Sequence, residues 1–256
     1  MGMDLLGRLR AGELTLMMSL RSARTPDIVH IARSTGHHAI MVDLEHTAMS
    51  VDVAATLCLT AEALGMTAFV RVPEREYGMI GRLLDGGATG IVAPRIETAD
   101  EARTVARACR FAPRGQRSQT AMVPQLGMRP TPARELNPAL DDQVVVKILV
   151  ETPAGVANAE AIAAVDGVDM IAFGANDFTA EIGAPGQYDD PRVAEAVATL
   201  AEACRKHGKL LMVGGVGGDI YQSLVPLGVC PLIMTGTDSA LLYRAAEAAV
   251  LDVTKE

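Results

Sequence analysis

Short apolar segments alternate with longer amphipathic segments along the whole chain. Segments of helical period, such as 51–64, 100–109 and 191–207, separate apolar runs that predict buried strands. These runs are 14–18, 39–43, 67–71, 90–93, 144–150, 169–173, 209–213 and 231–235. Eight strands that alternate with helices over 256 residues predict a (β/α)8 TIM barrel rather than an open doubly wound sheet.

The length fits one barrel, and we expect a single domain over residues 1–256. One connection interrupts the alternation, because residues 110–142 contain five prolines and two glycines. A long loop of this kind within a compact domain is typical of a functional lid or an interface element.

Charge and cysteine usage restrict the partners. The net charge is -8 and the sequence pI is about 5.2, which argues against binding to nucleic acid or an anionic membrane. Cys58, Cys109, Cys204 and Cys230 are widely spaced in apolar segments and predict reduced core residues. No signal peptide or membrane span is indicated, so we expect a soluble, cytoplasmic protein.

Polar residues follow the predicted strands at the points where a barrel collects its functional groups. They are Asp43, Glu45 and His46 after the second strand, Arg71 after the third, Arg95 after the fourth, Glu151 after the fifth, and Gly174, Ala175, Asn176 and Asp177 after the sixth. We expect carboxylates, an imidazole and one or two guanidinium groups to meet at one mouth.

Glu151 and Asp177 follow neighbouring strands, so their carboxylates can reach one ion. Two carboxylates with other positions left to water and substrate suit Mg²⁺ or Mn²⁺. The alternative is that Asp177 caps a helix and Glu151 forms a salt bridge.

His46 and Arg71 are the other candidates for chemistry. His46 lies near a strand-end carboxylate that could orient its ring for acid–base work, although a packed or surface histidine is the alternative. Arg71 has no acidic neighbour in the local sequence and therefore predicts an anionic ligand, with a surface ion pair as the alternative. The glycines of 214–218 give only a weak indication of a phosphate site, since flexible connections have the same composition.

In these residues the chain resembles the class II, metal-dependent pyruvate aldolases of the HpcH/HpaI family, which includes 4-hydroxy-2-oxoheptane-1,7-dioate aldolase and 2-dehydro-3-deoxyglucarate aldolase. The resemblance covers nearly the whole sequence. It runs through Val42-Asp43-Leu44-Glu45-His46, Val70-Arg71-Val72-Pro73, residues 83–88, Val92-Ala93-Pro94-Arg95, residues 113–118, Val150-Glu151-Thr152 and residues 173–178.

The resemblance implies reversible cleavage of a 4-hydroxy-2-oxo acid to pyruvate, or a close analogue, and an aldehyde through a metal-stabilised enolate. Glu151 and Asp177 would ligate Mg²⁺ or Mn²⁺, with Co²⁺ a further option. The backbone amides around Asn176 and Asp177, in the segment that begins with Gly174 and Ala175, would bind the substrate carboxylate. Arg71 would bind the keto oxygen, and His46 would exchange the proton of the C4 hydroxyl.

Further roles follow from the same resemblance. Asp43 and Glu45 would orient the histidine, and Asp85 would support it. Because Asp85 precedes the fourth strand, at the wrong end of its own barrel, this support requires a subunit contact. The family implies a homohexamer, a trimer of dimers, with an exchanged C-terminal helix at about 241–250, and a role in the catabolism of aromatic compounds or sugar acids.

The chain departs from the family pattern at several positions. Leu149 stands where glutamine is frequent, and Asn176 stands where a small residue is common. The segment after His46 lacks its frequent acidic residue. Arg95 replaces an aliphatic residue, and it predicts either recognition of a second substrate carboxylate or an ion pair with Glu97. These changes leave the acceptor open.

Three other functions compete with this one. Lys147 lies four residues before Glu151 on the same strand face, where it could form a Schiff base or a salt bridge with the acidic pair. The related acyl-CoA lyases would need room and basic groups for a nucleotide, and this acidic chain shows no obvious site of that kind. A non-catalytic binding barrel predicts loss of strand-end groups that are all present here.

Overall fold

A computed structural model describes residues 4–254 and has eight parallel strands around one axis. The strands are β1 (Thr15–Leu20), β2 (Ala39–Asp43), β3 (Thr67–Arg71), β4 (Gly90–Ala93), β5 (Val145–Val150), β6 (Met170–Gly174), β7 (Leu210–Gly214) and β8 (Leu232–Thr237). Their order in the sheet is β7-β6-β5-β4-β3-β2-β1-β8. The predicted TIM barrel is confirmed, and β2, β3 and β4 have the predicted bounds.

The barrel closes through a short contact instead of a full ladder. Between β7 and the segment that leads into β8, Leu211 forms a single bridge with Val229. The Cys230 backbone N–H donates to the Leu211 carbonyl at 2.7 Å. The sheet is therefore nearly closed, with its weakest pairing at this seam.

Helices follow most strands and cover the outside of the barrel. They are α1 (Leu5–Arg10), α2 (Asp27–Ser34), α3 (Val51–Ala63), α4 (Ile80–Asp85), α5 (Ala99–Cys109), α6 (Ala133–Asp141), α7 (Pro153–Ala157), α8 (Ala159–Ala163), α9 (Ala175–Glu181), α10 (Pro191–Lys206), α11 (Gly218–Leu224) and α12 (Asp238–Thr254). Short 3-10 helices span Tyr77–Met79, Pro124–Leu126 and Val225–Leu227. Among residues 4–254, no helix is both long and apolar enough to cross a membrane.

Local sequence sets several helix starts. Thr98 and Glu101 form a capping box at α5, in which each side chain binds the backbone N–H of the other residue. Asp190 caps α10 and is followed by Pro191, whose fixed φ suits the first turn. These caps explain why the chain leaves the strands and enters helices at these points.

Two apolar layers follow from the alternation of side chains along each strand. One layer fills the barrel interior and includes Met17, Met41, Phe69 and Leu149. The other lies between strands and helices and includes Ile40. Alternate residues of a strand face the interior, and we call these positions the inward parity. A polar residue two positions beyond the last apolar interior residue therefore projects into the mouth of the barrel.

The proline-rich segment 110–142 is more ordered than a loop. It contains α6 and buries its own apolar cluster of Phe111, Val123, Leu136 and Leu140. Gln125 in this segment donates to the Leu84 carbonyl at the end of α4, and it lines a recess with the strand-start residues Thr67 and Thr89. The segment thus covers the N-terminal end of the barrel. Of its two predicted roles, a lid over the mouth of its own barrel is wrong, and an interface element stays a prediction.

Candidate active site

The C-terminal mouth of the barrel contains a cavity of about 430 Å³, a volume typical of small-molecule sites. Its polar lining comes from inward-facing residues of the strands and of the segments that follow them, including the first turn of α9. The lining includes Arg21, Arg71, Lys147, Glu151, Asn176 and Asp177. The structure thus brings together residues that end β1, β3, β5 and β6.

Glu151 is a buried carboxylate that lines this cavity. Its Oε1 accepts a hydrogen bond of 2.9 Å from the Arg95 backbone N–H. Burial, with Asp177 and Glu45 nearby, raises the pKa of Glu151 to about 7. Carboxylates that repel one another in this way are stabilised by a bound cation, so the donor set fits a divalent metal ion.

Asp177 lies in the first turn of α9, with its side chain exposed at the rim. Among residues 4–254, no group of three or more His, Cys, Asp or Glu side chains could hold a metal ion. A cation at Glu151 and Asp177 would therefore take its remaining ligands from water and substrate. Hard divalent cations that bind substrate oxygens are commonly held in this way.

Arg71 and Asp43 form a buried bidentate pair. The Nε and Nη2 atoms of Arg71 donate to the two oxygens of Asp43 at 3.0 and 2.6 Å, and Nη1 lies 3.0 Å from Glu45 Oε2. The pairing follows from register, since Asp43 and Arg71 are opposite each other in β2 and β3. The expectation that Arg71 lacks a local acidic partner is wrong, because the end of β2 and the loop that follows it supply two.

Asp43 is also bound to a second arginine, Arg21, whose Nε lies 2.7 Å from Asp43 Oδ2. The side chain of Asp43 is fully buried. Although burial opposes its ionisation, the hydrogen bonds and charge of Arg71, together with Arg21, hold the pKa of Asp43 below its ordinary value. Asp43 is thus a fixed anion between two guanidinium groups.

His46 lies on the loop after β2 with half of its side chain exposed. Its Nε2 is 3.7 Å from Glu45 Oε2, and its backbone N–H donates to Asp43 Oδ1 at 3.3 Å. Glu45 is therefore the carboxylate beside the imidazole, whereas Asp43 positions the loop and does not contact the ring. Burial raises the pKa of Glu45, with the charges of Arg71 and His46 opposing the shift.

Asp85 and Arg95 do not join this cluster through their side chains. Asp85 ends α4 at the opposite end of the barrel and accepts a hydrogen bond of 2.8 Å from Arg117. The Arg95 guanidinium pairs with Glu181 at 2.5 Å, so the predicted ion pair with Glu97 is wrong. Arg95 contributes to the site only through its backbone N–H, which donates to Glu151 Oε1.

The segment after β6 shapes one wall of the mouth. Gly174 leaves room for Glu151, and Asn176 Oδ1 accepts a hydrogen bond of 2.6 Å from the Tyr188 hydroxyl. Ala175 is buried beneath this wall, where α9 begins. Helix α9 begins at Ala175, directly after β6, so the backbone N–H groups of its first turn, which have no acceptor within the helix, lie at the C-terminal end of this strand.

Lys147 lies deeper in the barrel, and 1% of the residue is exposed. Its Nζ is 4.1 Å from the centre of the Phe69 ring and 3.7 Å from Met212 Sδ. Burial lowers the pKa of Lys147 to about 7. The predicted salt bridge with the acidic pair is wrong, because no carboxylate among the described residues contacts the amine.

Two residues of the mouth escaped the sequence analysis. Arg21 follows β1 directly, but the predicted strand ended at Met18, so Arg21 did not count as a strand-end residue. Asp238 starts α12, and its buried carboxylate accepts backbone N–H groups from Arg21, Ser22 and Ala23 at 2.9, 3.0 and 2.7 Å. A strand drawn through the polar Ser19 would have revealed Arg21.

The chain is similar to several known proteins over most of its length. The 4-hydroxy-4-methyl-2-oxoglutarate aldolase of Chaetomium globosum is 36% identical over 249 residues, which are 95% of this chain and 92% of that protein. The 4-hydroxy-2-oxovalerate aldolase of Rhodococcus jostii is 33% identical over 85% of this chain and 83% of that protein. The crystal structure of an HpcH/HpaI aldolase from Desulfitobacterium hafniense superimposes with a TM-score of 0.90 at 26% identity, covering 100% of this chain and 98% of that one.

A family model described as HpcH/HpaI aldolase/citrate lyase matches residues 16–216. This range contains β2 to β7 and all but the first residue of β1, together with Arg71, Glu151 and Asp177. The chain therefore belongs to the HpcH/HpaI aldolase family.

Proposed function

We propose that the protein is a carbon–carbon lyase that uses a divalent metal ion to cleave 4-hydroxy-2-oxo acids reversibly. The products are pyruvate, or a close 2-oxo acid analogue, and an aldehyde or ketone. The observation that carries the proposal is the meeting of Glu151, Asp177 and Arg71 at one cavity in a chain of this family. The two relatives described above are both named as aldolases of 4-hydroxy-2-oxo acids.

Glu151 and Asp177 would hold the metal ion, and their oxygen donors favour Mg²⁺ or Mn²⁺ over softer metals. When bound, such a cation withdraws charge from the keto oxygen of the substrate. The backbone N–H groups between Gly174 and Asp177 would bind the C1 carboxylate, since they begin a helix beside the cation.

Arg71 would stabilise the charge that develops on the C2 oxygen. A guanidinium group has five N–H donors, and its contacts with Asp43 and Glu45 use one hydrogen each on Nε, Nη2 and Nη1. One hydrogen on each terminal nitrogen is left for the cavity. Because Asp43 fixes the plane of the guanidinium group, these donors need no reorganisation when the substrate reacts.

His46 would act as the acid–base group. In cleavage it takes the proton of the C4 hydroxyl, the C4 oxygen becomes the carbonyl oxygen of one product, and the C3–C4 bond breaks. The electron pair of that bond forms the enolate of pyruvate, which then takes up a proton at C3. Glu45 beside the ring stabilises the imidazolium that forms.

The last helix supports an assembly of several subunits. Helix α12 exposes Leu242, Tyr243, Val250, Leu251 and Val253, an apolar surface that favours burial against a partner. We propose a homo-oligomer, a hexamer built as a trimer of dimers, in which residues 241–250 pack on a neighbouring subunit. In such an assembly Asp85 would approach His46 of a neighbour. The buried free cysteines suit a reducing compartment, so we place the protein in the cytoplasm.

The direct test is pyruvate release from a panel of 4-hydroxy-2-oxo acids by EDTA-treated protein, with and without added Mg²⁺ or Mn²⁺. We expect release that depends on the metal, and we expect Glu151→Gln to abolish it along with metal binding. Glu195→Gln, on the outer face of α10, is the matched control and should behave as wild type. If no compound in the panel yields pyruvate with either metal, the protein is not this aldolase.

A further inference from the structure

A second guanidinium group at the mouth has no part in the reaction as described. Arg21 follows β1 and has the inward parity of Met17 and Ser19, whereas Met18 and Leu20 belong to the outer layer. Arg21 lines the same cavity as Glu151, and 37% of its side chain is exposed. It therefore presents a cation to whatever occupies that cavity.

The side chain of Arg21 is tied down at one nitrogen only. Its Nε is held by Asp43 Oδ2 at 2.7 Å. Within residues 4–254 no hydrogen bond or ion pair involves its terminal nitrogens, which leaves the planar end of the group available for a bidentate anion.

The backbone of Arg21 is also fixed. The Asp238 carboxylate accepts the N–H groups of Arg21, Ser22 and Ala23, and Arg24 donates to the Arg21 carbonyl at 2.9 Å. Because both the backbone and Nε are held, the cation is preorganised, and little entropy is lost when an anion binds.

The other cations at or near the cavity are held by other contacts or already have a role in the proposed reaction. Arg71 is paired with Asp43 and Glu45, and Lys147 lies deeper against Phe69. Arg95, the residue predicted to recognise a second carboxylate, is turned to Glu181. In the described part of the chain, Arg21 is thus the cation best placed for a further anionic group.

The order of the strands around the barrel indicates which substrate carbon carries the anionic group that Arg21 would bind. Glu151 and Asp177 follow β5 and β6, Arg71 ends β3, His46 follows β2, and Arg21 follows β1. In an eight-stranded barrel β1 is opposite β5. A substrate whose C1 and C2 oxygens face Glu151 and whose C4 hydroxyl faces His46 therefore directs its next group toward Arg21.

We propose that Arg21 binds a second carboxylate, attached to C4 of the substrate, so that the preferred substrates are 4-hydroxy-2-oxo dicarboxylic acids. This inference rests on the proposed function. Cleavage of the C3–C4 bond of such a compound gives pyruvate, while C4 becomes a carbonyl carbon that keeps its carboxylate. Both products are then 2-oxo acids, and Arg21 also binds the acceptor in the condensation direction.

The experiment compares 4-hydroxy-2-oxoglutarate, which carries a carboxylate on C4, with 4-hydroxy-2-oxopentanoate, which carries a methyl group there. We expect the wild-type kcat/KM to be at least about tenfold higher for the dicarboxylate. Arg21→Gln should lower kcat/KM for the dicarboxylate by about 100-fold, mainly through KM, and for the methyl compound by less than about threefold. Arg21→Lys should recover about a tenth of the wild-type value, because it keeps the charge without the bidentate geometry.

Arg75→Gln is the matched control, since Arg75 follows β3 at the same rim and pairs with Glu74 and Glu101. The inference is overturned if wild type uses both compounds equally, or if Arg21→Gln lowers both values alike, since Arg21 would then only support Asp43. The wild-type comparison needs no variant and stands even if Arg21→Gln is unstable. Absence of pyruvate from both compounds with Mg²⁺ and Mn²⁺ would instead overturn the proposed function itself.

Discussion

Gly174 and Glu151 are packed so closely that a Cβ atom on residue 174 would lie 2.6 Å from Glu151 Oε2 and 2.8 Å from Glu151 Cβ. The first contact could be relieved by rotation of the carboxylate, but the second involves an atom close to the backbone of β5. The position of this carboxylate therefore depends on a glycine at the end of the neighbouring strand.

Gly174→Ala should weaken metal binding by at least about tenfold, because the added methyl displaces one of the two carboxylates. Titration with Mn²⁺ by calorimetry measures the effect. Gly78→Ala is the control, since a Cβ there meets no atom within 4 Å. An unchanged dissociation constant for Gly174→Ala would show that the metal does not use Glu151.

Metal binding should depend on pH through Glu151. Its folded pKa of about 7 lies above the ordinary value of 4.5, so below pH 7 the metal must displace a proton. We expect the apparent dissociation constant for Mg²⁺ to rise by about tenfold for each pH unit below 7 and to level off above it.

The raised pKa of Glu151 also determines how the free energy of unfolding changes with pH. A raised carboxyl pKa means that the folded protein binds the proton more tightly, so this group destabilises the metal-free fold as the pH rises from 4.5 to about 7. At pH 8 the free energy of unfolding of Glu151→Gln, measured by denaturant titration, should therefore exceed that of metal-free wild type by about 1–3 kcal/mol. A gain of the same size at pH 4 would contradict this explanation.

His46→Gln should lower kcat for aldol cleavage by about 10²–10⁴-fold while leaving the metal dissociation constant unchanged. Decarboxylation of oxaloacetate separates the roles, since loss of CO₂ gives the enolate of pyruvate without removal of a hydroxyl proton. We expect that reaction to survive in the variant. His30→Gln, at an exposed position of α2, controls for loss of a surface imidazole, and equal loss of both activities would argue against an acid–base role.

Lys147 should be dispensable for catalysis and costly for stability. Its folded pKa of about 7 lies below the ordinary value of 10.5. The buried lysine therefore lowers the free energy of unfolding by its full amount below about pH 7, and this effect disappears as the pH rises toward 10.5. Lys147→Met should raise the unfolding free energy by about 2–4 kcal/mol at pH 7, and the difference from wild type should close by pH 10.5.

Borohydride treatment in the presence of pyruvate supplies the chemical check on Lys147. Because the metal-dependent route needs no amine, we expect no adduct on this lysine by mass spectrometry and full metal-dependent turnover in Lys147→Met. A stable adduct with turnover that survives EDTA would make the protein a Schiff-base aldolase instead.

The sequence predicts most of the barrel because polarity changes abruptly where β2, β3 and β4 end. The sequence predicts that the first strand ends at Met18, because the next inward residue, Ser19, is polar although it is buried. Arg21 is therefore not recognised from the sequence as a strand-end residue. The contacts of Asp43 with two arginines depend on the register of three strands, which no local pattern contains. The ion pair of Arg95 joins residues 86 positions apart, so only the folded chain reveals it.

The hydrogen bonds from residues 21–23 to the Asp238 carboxylate connect the mouth of the barrel to the last helix. The same residue begins α12, whose exposed apolar side chains are available to a neighbouring subunit. A shift of that helix would move residues 21–23 through the Asp238 carboxylate. We therefore expect assembly to influence substrate choice, and a truncation that removes Asp238 should alter selectivity even where every catalytic side chain is retained.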